Sequence, residues 1–168
     1  MSLPARPAAR SRSAPGRAVE DVSALDKRII EHLQADGRRP FTQIAGDLGV
    51  SEAAVRARTN RLIERGILQV VGVTDPLKLG FHQMAMIGIR CESSKLIEVS
   101  ELLAEMPEVD YVVITAGTYD LLIETVCEDN EALLAFLAER LRAIDGVRET
   151  ETFVYLRLVK QTYQYGTR

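Results

Sequence analysis

The spacing of apolar residues changes character along the chain. Leu25, Ile29, Ile30 and Leu33 recur three and four residues apart, which predicts an amphipathic helix over 26–36. Ser23 or Asp26 is suited to cap it, and Gly37 is a natural stop. After Pro40 a short helix is expected over 41–48, with Ile44, Ala45 and Leu48 turned inward. Gly49 supplies a turn. Ser51 is a good N-cap for a third helix that carries Glu52 in its first turn, runs to about Arg65 and ends at Gly66. The run ILQVVGVTD, residues 67–75, is short and β-branched and reads as a strand or wing. Asp75-Pro76 marks a break, and PLKLGF, 76–81, reads as a linker.

From His82 onward, strand and helix patterns alternate. HQMAMIGIRC is a strand, and Ser94 can cap KLIEVSELLAEM, a helix with Leu96, Val99, Leu102, Leu103 and Met106 on one face. DYVVITAG and YDLLIETVCE are strands joined by a tight turn at Gly117-Thr118. Asn130 caps a second amphipathic helix with Leu133, Leu134, Leu137, Leu141 and Ile144 inward, and VRETETFVYLRLVKQ is the last strand. The order β-α-β-β-α-β is the split ferredoxin-like arrangement. The expected class is therefore α+β, with a winged helix-turn-helix over 25–75 followed by a ferredoxin-like domain over 82–168.

Alternation along the third strand sets Tyr119, Leu121, Ile123, Thr125 and Cys127 on one face, expected to lie under the two helices. Leu122 and Val126 fall on the other face, beside Asp120, Glu124 and Glu128. A ferredoxin-like sheet has helices on one side only, so apolar residues on its open side favour cover by a second subunit.

Composition narrows the classes. The 168 residues hold two isolated cysteines, Cys91 and Cys127, with no Cys/His cluster, so neither a zinc site nor a disulfide framework is expected. Both read as buried thiols near the ends of antiparallel neighbours, too far apart to pair. His32 and His82 read as structural. No metal and no cofactor is expected. No apolar run reaches the ~20 residues of a membrane span, and the Arg-, Ser-, Ala- and Pro-rich start lacks the apolar stretch of a secretory signal. A cytoplasmic, nucleoid-associated protein is expected, with residues 1–24 as a disordered basic leader.

The net charge of −3 is unevenly spread. Residues 1–24 carry four basic groups and two acids, 25–75 eight and seven, and 76–168 nine and fifteen. The front can face a polyanion, and the back would be repelled by one.

Phe41–Leu62 has the form of a DNA-reading helix-turn-helix, with Ala45, Gly49 and Val55 at the spacing that two closely crossing helices need. Arg58 and Arg61 are suited to guanine edges or phosphate through their forked donors. Ser51 can give its hydroxyl or backbone N–H to a phosphate. Arg56 and Asn60 are further candidates for base reading, Thr59 packs inward, and Arg38 and Arg39 could touch phosphate.

LDKRIIEHLQADGR, the segment SEAAVRARTNRLIERGIL and the turn motif GTYDLL, in that order and spacing, resemble the Lrp/AsnC (feast/famine) family of transcription regulators over about residues 25–161. The resemblance implies a DNA-binding dimer that assembles further, often to octamers, through its C-terminal domain. It also implies a small-metabolite effector, commonly an amino acid, bound between dimers. The leader is a departure from that pattern. Within this frame Gly117, Thr118, Tyr119 and Asp120 are effector-site candidates, with Thr115 a weaker one. Gly117 exposes backbone N–H groups for a carboxylate, and the Asp120 carboxylate suits an ammonium. Against these roles, Asp120 could satisfy turn amides and Tyr119 could fill core.

Two alternatives share parts of this reading. An architectural DNA-binding protein would keep the helices and lack an effector. A small dimeric ferredoxin-like enzyme would need convergent acid/base groups, and only His82, Tyr119 and Asp120 are available. No enzymatic activity is expected.

Overall fold

A computed structural model describes residues 22–162, and the basic leader expected over 1–24 lies almost wholly outside them. The described chain divides into two compact units, with the boundary between Val73 and Thr74.

The first unit holds three helices: α1 (Ala24–Ala35), α2 (Phe41–Leu48) and α3 (Glu52–Glu64). Ser23 and Asp26 divide the capping of α1. The Ser23 side chain accepts the Asp26 N–H, and the Asp26 carboxylate accepts the Ser23 N–H in a reciprocal capping box. Gly49 ends α2 with φ of 66°, a left-handed conformation that side chains with a Cβ rarely adopt. Its N–H and that of Val50 close the turn onto α2 carbonyls. The core is Ile29, Ile30, Leu33, Ile44, Ala45, Val55, Leu62 and Leu68. Ala45 and Val55 are buried at the α2–α3 crossing, as their spacing predicts.

The wing does not form as a strand. Residues 67–75 enter no ladder among the described residues. Leu68 is buried against the helices, while Val70, Val71 and Val73 are exposed. β-Branched residues favour extended backbone, but a strand needs a neighbour to take its N–H and C=O groups. The linker contains one 3-10 turn, Pro76–Leu79, capped by the Asp75 side chain on the Leu77 N–H.

The second unit contains β1 (Gln83–Cys91), α4 (Leu96–Ala104), β2 (Val109–Ile114), β3 (Leu121–Cys127), α5 (Asn130–Ala135, continued by a π-helical turn Phe136–Leu141) and β4 (Val147–Val154). The sheet order is β2-β3-β1-β4, antiparallel throughout. Helices α4 and α5 cover one face. Val99, Leu103, Phe136 and Leu141 pack there on Ala85, Ile87, Ile89, Leu121 and Ile123.

Several expectations change in detail. Asp129 rather than Asn130 caps α5, accepting the Ala132 N–H at 2.8 Å. Leu134 and Leu102 face solvent, and Phe136 takes the buried place. Phe136, three positions after buried Leu133, shares its side of the helix, whereas Leu134 is turned away from it. The last strand stops at Val154 rather than reaching residue 161. Cys127 pairs with Gln83 at one end of β1 and Cys91 lies at the other, so the thiols are buried and unpaired. Burial pushes both above the usual thiol range, with nearby carboxylates adding to it.

On the open face, Leu122 pairs with Gly88 on one side and Val113 on the other, and Glu124 lies between Met86 and Tyr111. Phe153 extends that face onto β4, opposite Met86. Tyr111 and Phe153 are half exposed, and Leu122 and Val126 are half-buried.

Candidate nucleic-acid interface and effector turn

Helix α3 buries Val55, Thr59 and Leu62, and so turns Ala53, Arg56, Ala57 and Asn60 outward at i, i+3, i+4 and i+7. Together with Glu52 these form a shallow, open surface. The two alanines matter as much as the polar residues. With only methyl groups on the floor, the helix axis can approach a groove closely while Arg56 and Asn60 reach past it. Arg56 is held from two sides: it pairs with Glu52 at 2.6 Å, and its guanidinium lies 5.2 Å from the centre of the Phe41 ring. Asn60 is exposed on the same face. The Ser51 hydroxyl accepts the Ala54 N–H at 3.2 Å and caps the helix as expected.

Arg58 and Arg61 are not on this outward face. Both turn toward the start of α1 and meet Asp26, which is 2% exposed. Arg58 donates to Asp26 Oδ1 at 2.9 Å and to Ser23 Oγ at 3.3 Å, and Arg61 donates to Oδ2 at 3.3 Å. Arg38 and Arg39 also separate. The Arg38 backbone N–H closes the turn on Asp36, while the Arg39 side chain is tied to Asp47 of α2 at 2.5 Å.

Asp26 is the residue that sequence reasoning undervalued: it appeared there only as a possible cap. The signal was present in the Ser23–Asp26 spacing, but the arginines that meet it lie more than thirty positions away. Burial pushes the Asp26 carboxyl up, yet hydrogen bonds from Ser23 and Arg58 and the Arg58 charge outweigh burial and leave it below its ordinary value. A carboxyl depressed in the folded state contributes stability that is full above its unfolded value and is lost as pH falls through the folded one. The thermal midpoint of the helical unit should therefore drop as pH goes below about 4, the unperturbed Asp range. Asp26→Asn should flatten that drop, and an unchanged acid limb in the variant would contradict the assignment.

In the second unit, residues 115–120 form the turn between β2 and β3, and it is fastened to β1. The Asp120 N–H donates to the Ile89 carbonyl at 2.9 Å, and Asp120 Oδ2 accepts the Cys91 N–H at 2.9 Å. Arg90 Nε donates to the Thr118 carbonyl at 2.9 Å, and the Thr115 hydroxyl donates to the Tyr119 carbonyl at 2.5 Å. One Asp120 oxygen thus serves a backbone amide. Gly117 and Thr118 are exposed. Gly117 does not have a positive φ, and a Cβ there would meet nothing within 4 Å. The turn's own geometry therefore does not require glycine.

Tyr119 corrects the expected facing. Its ring lies on the open face, over Gly88, not under the helices. A Cβ on Gly88 would sit 2.6 Å from the ring. Phe153 meets the ring edge-on at a centroid separation of 6.4 Å, and Arg90 stands 6.0 Å from its centre. Leaving β3 at the turn breaks the strict alternation that placed Tyr119 with Leu121. Gly88→Ala must displace this ring and with it the turn. A loss of about 1–3 kcal/mol of stability is expected, read as a lowered midpoint for the second unit in thermal unfolding.

No helix of the described residues is long and apolar enough to cross a membrane, and no group of metal-ligating side chains occurs among them.

Comparisons with known proteins agree with this architecture. Residues 23–63 match the model of the AsnC-type helix-turn-helix domain, and residues 84–165 that of the Lrp/AsnC ligand binding domain. An uncharacterised HTH-type transcriptional regulator of Pyrococcus abyssi is 36% identical over 143 residues, covering 84% of this chain and 90% of the relative. The HTH-type transcriptional regulator LrpA of Pyrococcus horikoshii is 35% identical over 140 residues, covering 83% and 99%. Among solved structures, E. coli AsnC superposes with a TM-score of 0.79 at 25% identity, over 88% of this chain and 99% of that one. The fold is also that of a Neisseria meningitidis transcriptional regulator solved as a complex with L-Met, with a TM-score of 0.80 at 21% identity, over 87% of this chain and 97% of that one. This chain belongs to the Lrp/AsnC family of transcriptional regulators.

Proposed function

We propose that this regulator reads a palindromic DNA site with α3 and that a small metabolite, an amino acid, alters its assembly or its DNA affinity. The observation that carries the DNA reading is the outward face of α3, where Arg56 and Asn60 stand over Ala53 and Ala57. Arg56 is suited to a guanine and Asn60 to an adenine edge in the major groove. Ser51 at the helix start, Arg58 and Arg61 on the flank, and Arg38 and Arg39 at the α1–α2 turn are the phosphate-contact candidates. Of the last two, Arg38 is the better placed, because Arg39 is engaged with Asp47. The protein acts where the genome is, in the cytoplasm, and not as an enzyme.

The effector reading rests on the β2–β3 turn. Thr115, Gly117, Thr118, Tyr119 and Asp120 are the proposed contacts. The turn is held firmly on β1, and Gly117 leaves open space that its own fold does not use. The Neisseria regulator's L-Met complex supports an amino acid as the ligand class. The open face of the sheet favours a second copy as its cover, giving a dimer that assembles to higher oligomers such as an octamer. Burial, together with the Glu124 hydrogen bond and charge, pushes the Tyr155 hydroxyl up to about 12.

The test uses full-length protein and a duplex selected from a random pool. Binding should fall steeply with salt and exceed binding to random sequence by about a thousandfold; a flat salt response or no discrimination refutes the DNA reading. A thermal-shift screen against the common amino acids should give at least one stabilising ligand, and a flat screen favours a DNA-compacting protein instead. Gly117→Ala should remove that shift without lowering the protein's own midpoint. Asp120→Ala should also remove it, at some cost in stability because the Cys91 amide loses its acceptor.

A further inference from the structure

Asp26 is not needed in its present form to start a helix. Ser23 alone satisfies the Asp26 amide, and a serine cap works without an ionised partner. The Asp26 carboxylate is nevertheless buried and aimed at two arginines of α3, the helix that carries the outward Arg56 and Asn60. Both guanidinium groups keep a wet side, with side-chain exposures of 34% for Arg58 and 50% for Arg61. One negative charge thus sits behind two positive ones, and its hydrogen bonds fix where they point.

We propose that Asp26 is a positioning residue for DNA recognition: it holds Arg58 and Arg61 along the flank of α3, so that they meet phosphate only when that helix is seated in its groove. This deepens the DNA reading above and rests on it. The physical basis is the contrast between free and tethered cations. A free arginine on a long flexible stem finds a phosphate on any duplex and releases counterions whatever the sequence. A guanidinium already bonded to a buried carboxylate has part of its charge compensated and its reach restricted. It gains a phosphate only where the geometry of the docked complex brings one to its exposed side. Asp26 therefore lowers affinity for random DNA more than affinity for the specific site, and so widens the ratio between them.

Full-length wild-type protein and Asp26→Asn are compared on two labelled duplexes of equal length, the selected site and a random sequence, across a salt series. Asparagine keeps the size and the capping oxygen but removes the charge. The variant should bind the random duplex about tenfold more tightly, with a salt slope steeper by about one phosphate contact. Its ratio of selected to random affinity should fall correspondingly. A folded variant with wild-type affinity and salt slope on random DNA overturns the proposal, because a purely structural Asp26 would move only the melting temperature. If Asp26→Asn does not fold, Arg58→Gln decides. It should weaken the selected duplex about tenfold and the random duplex about twofold, and equal losses on both overturn the proposal. Wild-type protein that fails to discriminate the two duplexes refutes the underlying DNA reading, and this inference with it; a selected-to-random ratio in Asp26→Asn equal to that of wild type refutes this inference alone.

Discussion

Arg56→Ala combined with Asn60→Ala is expected to erase most of the protein's preference for its site. Each bidentate base contact contributes about 1–3 kcal/mol of discrimination, so losing both should weaken the selected duplex by about a hundredfold or more. Random DNA should be affected far less, because Arg56 already shares its charge with Glu52 and Asn60 has none. Fluorescence anisotropy on both duplexes reads the outcome directly. The substitutions should not unfold the protein: both side chains are exposed, and neither belongs to the helical core. An equal loss on both duplexes would make Arg56 a phosphate contact and move base reading elsewhere. A related expectation follows from the ring under Arg56. Phe41→Ala removes the surface over which the guanidinium lies and should weaken specific binding more than random binding, since it loosens Arg56 without changing any charge.

The largest effect on stability is expected from Leu62→Ala. Leu62 is fully buried on α3, in a core that also contains Ile29, Ile44 and Val55. Removing three carbons from such a site costs about 2–5 kcal/mol, part in lost transfer energy and part in the cavity left behind. Few folded units this small hold more than about 5 kcal/mol in reserve. The helical unit should therefore be largely unfolded at ambient temperature, and DNA binding should be lost with it. The second unit has its own core around Ile87, Ile89, Leu121 and Phe136. Calorimetry should show that unit's transition retained in Leu62→Ala, while the helical transition moves down or disappears. A single transition shifted as a whole would show that the units unfold together.

The two substitutions separate stability from reading on one helix. Val55, Thr59 and Leu62 anchor α3, and Arg56 and Asn60, each one position after a buried residue, are turned outward. Between the two sets, on the flank, stand Arg58 and Arg61 with Asp26 beneath them. A helix that must present a precise face to a groove needs both a fixed axis and a fixed rotation. The core provides the axis. The ion pairs to α1 oppose rotation, because any roll of α3 would drag two guanidinium groups off a buried carboxylate.

Local pattern was enough to locate the three helices, the Gly49 turn, the order of strands and helices in the second unit, and the family. Those features depend on residues a few positions apart, through helical and strand periodicity, capping and the left-handed turn glycine. The outward placement of Ser51, Arg56 and Asn60 was legible for the same reason, since a helix of known phase shows which side chains point away from its core. Three local expectations failed. Leu134 is exposed while Phe136, three positions after Leu133, is buried; the turn before β3 sent Tyr119 to the open face; and the β-branched segment after α3 found no strand to pair with.

The sequence by itself determined where the five helices and the four sheet strands begin, which chemistry stands on α3 and how the charge divides between the two ends of the chain. Only the tertiary structure decided what that chemistry faces. It showed that Arg58 and Arg61 are joined to Asp26, that Asp120 is engaged with a β1 amide, and that Gly88 is glycine because the Tyr119 ring lies against it. Each of these is a contact between residues about thirty positions apart. Distances of that kind are set by how whole elements pack, and no periodicity within an element carries them.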